Sequence, residues 1–355
     1  MTVSEIKKLK VGVAGLGRMG QRHALHYYNL VARAELVAVC TIMPHEMVWA
    51  KENLLNVAVY DKYDDMLNHP GIEAVVVSTS AAVHGEQILK AIAADKHCLS
   101  EKPLAHNTDE CNQIITEAAK KPYLKILCGF SRRFDVSYRD AKAKVDSGLI
   151  GKPTVFKSQT GDHWLKSFYK GYAMTMGGLW MDMGIHDTDL MFWFFGHDAK
   201  IKSISSSATC VVVPELKDAG VKDNTIAIIE FYDERFACLF ISSMLPAGQE
   251  DTCEIMGPEG KLTINVEPQA NFVRIHDSTG IRKEVPPTYF ERFREAFVTE
   301  AIEFADACLD DKPLPITLQA AARAVETVLL LQEALDSGEK IYFDRNGQRV
   351  AKPTA

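Results

Sequence analysis

Val11-Gly12-Val13-Ala14-Gly15-Leu16-Gly17-Arg18-Met19-Gly20 decides the reading of this chain. A short apolar strand runs into Gly-x-Gly-x-x-Gly and then into a stretch with helical periodicity, the context in which that glycine pattern points to dinucleotide binding. Gly15 can make the tight turn and Gly17 lets the backbone approach a pyrophosphate. The helix opening through Arg18, Met19 and Gly20 offers N–H groups and the positive end of its dipole to the phosphates.

Outward from this segment, strand and helix signals alternate as far as Gly129. Lys10–Ala14, Leu36–Cys40, Ala74–Ser78, His97–Ser100 and Ile126–Gly129 read as strands. Arg18–Ala32, Glu46–Leu55, Tyr63–Leu67, Val83–Ala94 and Thr108–Lys120 read as helices, the last with a cap at Asn107 or Thr108. Alternation of this kind predicts an α/β fold with a doubly wound parallel (Rossmann) sheet over residues 1–129. After Phe130 one helix, Ser137–Ser147, precedes a mostly β series: Thr154–Thr160, Ile201–Val213, Thr225–Tyr232, Phe236–Met244, Thr252–Met256, Leu262–Val266 and Phe272–His276. Two helical stretches, Glu291–Leu309 and Leu318–Leu335, follow. Residues 130–355 are therefore expected to form an α+β domain on a large, mostly antiparallel open sheet that binds substrate and oligomerises. One face of such a sheet needs a cover, and self-association as a homo-oligomer, a dimer or tetramer, supplies it.

Composition excludes several classes. With 355 residues, 47% hydrophobic and 25% charged, the chain can bury substantial cores. A net charge of -7 without a Lys/Arg cluster argues against nucleic acid or an anionic membrane as partner, and favours a small polar molecule. No apolar run reaches the roughly 20 residues a bilayer requires, and no cleavage-site pattern precedes the glycine loop, so a cytoplasmic location is expected. The eight cysteines form no Cys-x-x-Cys pair and read as reduced and structural.

The remaining chemistry lies at strand ends and on one helix. A NAD-binding fold normally carries an acid at the end of its second strand, where this chain has Cys40-Thr41-Ile42, and no Lys or Arg follows before Lys51. Cofactor choice stays open between NAD and NADP, NAD being slightly favoured, with Thr41 at the discriminating position. Ser78, Thr79 and His84 follow the next strand, on the edge where doubly wound sheets hold ligands; first-turn helix placement is an equal reading for His84. Glu101-Lys102-Pro103 holds an ammonium at a strand end beside a residue that restricts the backbone. Asp182 and His186, four apart, share one helix face, so the carboxylate can orient the imidazole and raise its basicity. A zinc or manganese site is the rival reading, but too few further ligand-type residues stand nearby, and no metal is expected.

With these motifs in order, the chain resembles the glucose-fructose oxidoreductase / inositol dehydrogenase / MocA family over nearly its whole length, and most of all inositol 2-dehydrogenases. Cys128-Gly129-Phe130-Ser131-Arg132-Arg133-Phe134-Asp135 and Asp182-Met183-Gly184-Ile185-His186-Asp187-Thr188-Asp189-Leu190 carry the closest matches. The resemblance implies Lys102, Asp182 and His186 as the catalytic trio and Arg132 as a substrate contact. The chemistry of a secondary alcohol fits that trio. His186 would remove the hydroxyl proton as hydride passes to nicotinamide C4, Asp182 would hold the imidazole, and Lys102 would stabilise the developing alkoxide. Asp162, His163, Trp164 and Tyr169 are further substrate candidates by position and chemistry, offering donors and a flat apolar surface to a sugar ring. The expected activity is NAD(P)-dependent oxidation of a cyclic polyol or sugar, inositol-type or pyranose, to a ketone or lactone. A non-catalytic NAD-binding sugar sensor and a NAD-assisted glycoside hydrolase are the alternatives.

Overall fold

A computed structural model describes residues 7–352 except 164–177, 213, 215, 216, 218 and 219. The chain divides into two compact units. The first comprises Met1–Phe134 and Glu295–Val325, the second Asp135–Arg294 and Glu326–Ala355. The sequence reading drew a single boundary after residue 129, and it did not assign 295–325 to the first unit.

The first unit is built on β1 (Leu9–Ala14), β2 (Ala34–Cys40), β3 (Ala58–Tyr60), β4 (Ala74–Val77), β5 (His97–Glu101) and β6 (Ile126–Gly129). All neighbours are parallel, in the order β3-β2-β1-β4-β5-β6. Strands buried on both faces need continuous apolar runs, and Ala74-Val75-Val76-Val77 is such a run, every residue buried. Between the strands lie α1 (Arg18–Asn29), α2 (Pro44–Asn53), α3 (Tyr63–Leu67), α4 (His84–Ala93) and α5 (Thr108–Ala119). The Asn107 side chain caps α5, accepting from Glu110 N at 2.8 Å. Because strand order reverses direction at β1/β4, the carboxyl ends of these strands frame the crevice where such sheets bind ligands.

The second unit carries α6 (Val136–Asp146), β7 (Val155–His163), α7 (Ile185–Phe195) and β8 (Ile201–Thr209), then β9 (Asn224–Phe231), β10 (Phe236–Leu245), β11 (Glu250–Gly257) and β12 (Gly260–Ile264). With β15 (Ile341–Phe343) and β16 (Arg349–Val350) they form one sheet, ordered β12-β11-β7-β10-β9-β8-β15-β16. Its described pairs are antiparallel apart from β7 with β10. The segment expected to be a strand at 272–276 belongs instead to a separate hairpin of β13 (Arg274–Asp277) and β14 (Gly280–Lys283). α8 (Tyr289–Asp310) and α9 (Leu318–Ser337) precede β15 in the chain, and their residues 295–325 belong to the first unit. The alternating burial of β9 points Ala227, Ile229 and Phe231 inward and leaves Ile226 and Ile228 outside. The inner face packs on α7, where the rings of Phe195 and Phe231 meet edge to face at 5.3 Å. Burying each such side chain is worth about 1.5–3 kcal/mol.

Candidate active site

The three loop glycines have different reasons for being glycine. Gly15 has φ +82°, and a Cβ there would sit 2.4 Å from Ser78 O. A Cβ on Gly20 would lie 1.8 Å from Gly15 O, so α1 could not start so close to the turn. Gly17 has an ordinary φ of -66°, and among the described residues away from its own turn none comes nearer its Cβ position than Glu46 Oε1 at 3.8 Å. Nothing inside the protein requires glycine at 17; the space is open for a ligand. Residue 17 also gives α1 no side-chain cap, and the first turn, Arg18 and Met19 included, holds no acid, whereas α2, α3, α4 and α5 all have one. A helix start with no side-chain cap from residue 17 and no acid in its own first turn, beside an open backbone, suits a pyrophosphate, so these residues fit a dinucleotide.

All the candidate residues of the first unit lie on the carboxyl edge of its sheet. At the end of β2 the Thr41 hydroxyl is engaged, donating to Glu46 Oε2 while accepting from Met43 N at 3.2 Å. Leu16 N also donates to Glu46 Oε2, at 3.3 Å. Sequence reasoning missed Glu46; the available signal was an acid in the first turn of the helix after β2, opened by Pro44.

Beyond β4, Ser78 is buried, and Thr79 donates its hydroxyl to Gln87 Oε1 at 2.6 Å. His84 is 1% exposed, with Nδ1 3.0 Å from Pro103 O and Nε2 3.3 Å from Thr79 O. Each ring nitrogen thus faces a backbone carbonyl, to one of which the neutral imidazole can donate. The ring braces the turn after Lys102, which fits the reading of His84 as a first-turn helix residue. Burial pushes its pKa below the ordinary histidine value, against the opposing pull of the Pro103 and Thr79 carbonyls. Lys102 is half-buried and precedes a cis bond to Pro103.

Its neighbour Glu101 points into the unit, where Oε1 lies 2.7 Å from Nε2 of the fully buried His23. Burial works to raise the Glu101 carboxyl, but the His23 hydrogen bond and the charges of His23 and Lys102 outweigh it and hold the group below its usual range. Glu300, fully buried nearby, has no hydrogen-bond partner for either oxygen among the described residues; burial, then repulsion from Glu101, push it well above the carboxylate range. Their pairing across long stretches of sequence left His23 and Glu300 without a motif. Arg132 follows β6, the strand next to β5, and is 3% exposed.

In the second unit, a π-helical turn, Trp180–Gly184, leads directly into α7. From Trp180 to Phe192 every residue is buried except Asp182 and His186, which are half-buried. A Cβ on Gly184 would strike the Trp180 ring at 2.5 Å, so this glycine lets the indole pack and donate from Nε1 to Ser206 Oγ at 3.0 Å. Asp187, fully buried, accepts from the Ser158 hydroxyl and from Thr160 Oγ1 at 2.7 Å, tying the start of α7 to β7. Asp162 and His163 lie at the end of that strand, half-buried, and the two-residue period puts Asp162 on the face of Ser158 and Thr160. Trp164 and Tyr169 lie outside the described residues.

Residues 9–127 match the model of an oxidoreductase family with an NAD-binding Rossmann fold, and residues 138–263 match the GFO/IDH/MocA C-terminal domain. The chain is 30% identical to scyllo-inositol 2-dehydrogenase (NAD(+)) of Bacillus subtilis (strain 168), over 95% of this chain and 97% of that one. It is 27% identical to myo-inositol 2-dehydrogenase of Thermotoga maritima, over 95% and 99%. Among solved structures, scyllo-inositol dehydrogenase from Lactobacillus casei with bound NAD(H) and scyllo-inositol superposes with a TM-score of 0.91 at 33% identity, over 95% of this chain and 99% of that one. The open glycine loop, the 3-2-1-4-5-6 sheet and these matches agree: the chain belongs to the GFO/IDH/MocA family of oxidoreductases, with an NAD-binding Rossmann domain.

Proposed function

We propose that this protein is an NAD(P)-dependent dehydrogenase that oxidises a secondary hydroxyl of a cyclic polyol, of the inositol kind, to a ketone. The observation that carries the reading is the pair Asp182 and His186, kept accessible in a stretch otherwise buried from Trp180 to Phe192. Core packing alone gives no reason for two titratable groups to stay open at one-turn spacing. The kinship with inositol dehydrogenases supports the substrate class.

In this reading His186 accepts the hydroxyl proton, Asp182 orients the imidazole and stabilises its cationic form, and the Lys102 ammonium stabilises the oxygen as negative charge develops. Arg132, Asp162 and His163 hydrogen-bond the ring hydroxyls. Gly15, Gly17 and the start of α1 at Arg18, Met19 and Gly20 hold the pyrophosphate, while Ser78 and Thr79 line the nicotinamide side. The bound nicotinamide supplies the hydride acceptor. The first unit, Met1–Phe134 with Glu295–Val325, acts as the dinucleotide domain, and the second as the substrate and assembly domain. Ile226, Ile228 and Phe236, 44%, 38% and 42% exposed on the open sheet face, support a homo-oligomer through that face. Eight free thiols fit work in the reducing cytosol.

Initial rates of nicotinamide reduction across inositol stereoisomers and pyranoses, with NAD and with NADP, test the assignment. Turnover of at least one inositol is expected. Saturable cofactor binding with no turnover of any of them would overturn it.

A further inference from the structure

The end of β2 lacks the acid that receives the adenosine ribose in NAD-binding folds, and a carboxylate reaches the same place from another element. Pro44 opens α2, which sets Glu46 in its first turn and returns its side chain toward Thr41. Glu46 Oε2 is held from two sides, by the Thr41 hydroxyl and by Leu16 N in the glycine loop at 3.3 Å. Met43 N in turn fixes Thr41 Oγ1 at 3.2 Å, so both supports of Oε2, one direct and one through Thr41, lead back to backbone N–H groups. Glu46 Oε1 has no hydrogen bond from a described residue and lies 3.8 Å from the open Cβ position of Gly17. One oxygen is anchored; the other faces the gap between the pyrophosphate loop and the end of β2, where the adenosine ribose of a dinucleotide lies.

Resting on the dehydrogenase reading, we propose that Glu46 receives the ribose 2′-hydroxyl and makes the protein selective for NAD over NADP. A diol offers O–H donors to a carboxylate, whereas a 2′-phosphate sets negative charge against it. Between Thr41 and Lys51 the chain carries no Lys or Arg to offset that repulsion. Thr41, at the position of the usual acid, acts through Glu46 as a positioning residue.

Calorimetric titration without any polyol tests this separately from turnover. Wild-type protein should bind NAD at least about tenfold more tightly than NADP. In Glu46→Gln the amide carbonyl can still accept from Thr41 and Leu16 N, so the fold is retained. NAD affinity should then fall about 10- to 100-fold, the value of a hydrogen bond to a charged acceptor, and the preference over NADP should collapse. NAD lacking the adenosine 2′-hydroxyl should bind wild type about 10- to 100-fold more weakly than NAD, a measurement that needs no variant. Equal wild-type affinity for NAD and NADP, or an unchanged preference in Glu46→Gln, would overturn this assignment alone. Failure to bind either dinucleotide would overturn it together with the dehydrogenase reading.

Discussion

His23 Nε2 and Glu101 Oε1 stand 2.7 Å apart inside the Rossmann unit, and Glu101 is the residue before Lys102. Glu101 keeps its charge because His23 and Lys102 favour it, while Glu300 beside it is driven toward the neutral form. A carboxyl raised on folding binds protons more readily in the native state. Its stabilising contribution is present below the unfolded glutamate value and is lost as pH rises toward the folded one. Replacing Glu300 with Gln removes that loss. Denaturant unfolding of wild type and Glu300→Gln should therefore diverge as pH rises above the unfolded glutamate value, by up to about 1.4 kcal/mol per pH unit in favour of the variant. Curves that stay parallel from mildly acidic to mildly alkaline pH would mean that Glu300 is ionised in the native state. His23→Ala, which strips a buried carboxylate of its partner, should cost about 3 to 5 kcal/mol at neutral pH.

His84 has the opposite pH sign. Burial depresses its folded pKa, so the unfolded chain takes up the proton first and stability falls as pH drops below the ordinary imidazole value. His84→Gln should flatten that acid limb, read as melting temperature against pH through the mildly acidic range. The glutamine would also loosen the tie between Thr79 O and Pro103 O. The turnover number should drop with little change in cofactor affinity, and the reverse pattern would mark His84 as a cofactor contact after all.

Gly17→Ala and Gly20→Ala differ by one methyl group each and should fail in different ways. The Gly20 variant drives a Cβ into Gly15 O and should destabilise the protein by about 1 to 3 kcal/mol or more. The Gly17 variant meets nothing nearer than Glu46 Oε1 at 3.8 Å among the described residues away from its own turn, so its ligand-free stability should stay near wild type, within about 0.5 kcal/mol. Its cofactor affinity should drop about tenfold or more, about 1.4 kcal/mol. Thermal melts with and without dinucleotide separate the two. A Gly17→Ala protein with normal affinity would move the pyrophosphate elsewhere.

Removing the imidazole should reduce chemistry and spare binding. His186→Ala is expected to lower kcat by about 10² to 10⁴ while the dissociation constant for the dinucleotide stays within a few-fold of wild type. Asp182→Asn should give a smaller loss and shift the acid limb of the kcat pH profile. Near-wild-type turnover in His186→Ala would remove that residue from the proton path.

Local signals were legible in the sequence; tertiary pairings were not. The strand-loop-helix around Gly15 was readable because apolar periodicity and glycine spacing are both local, and so was the four-residue spacing of Asp182 and His186. Ala58–Tyr60 and Arg349–Val350 are strands too short for alternation to register. β7 runs on past the expected end at Thr160 to His163, through Gly161 and polar Asp162, which mask a strand by composition alone. Thr41 read as a position lacking an acid, because its partner enters from the following helix. The His23–Glu101 pair joins residues 78 apart, and Glu300 lies in a part of the chain that the reading did not connect with the first sheet.

That last assignment bears on how the molecule is made. Glu295–Val325 belongs with the first unit, where Arg33 pairs with Asp306 and Asp310 and Lys125 with Asp311. The nucleotide-binding unit therefore breaks off at Phe134 and is finished only by residues that leave the ribosome some 160 positions later. Until they arrive, His23 and Tyr27 lack part of their surroundings, Phe297 and the Glu300 and Cys308 neighbours included. An early fragment is an incomplete domain rather than an independent one, and the two units must mature as a single product of synthesis.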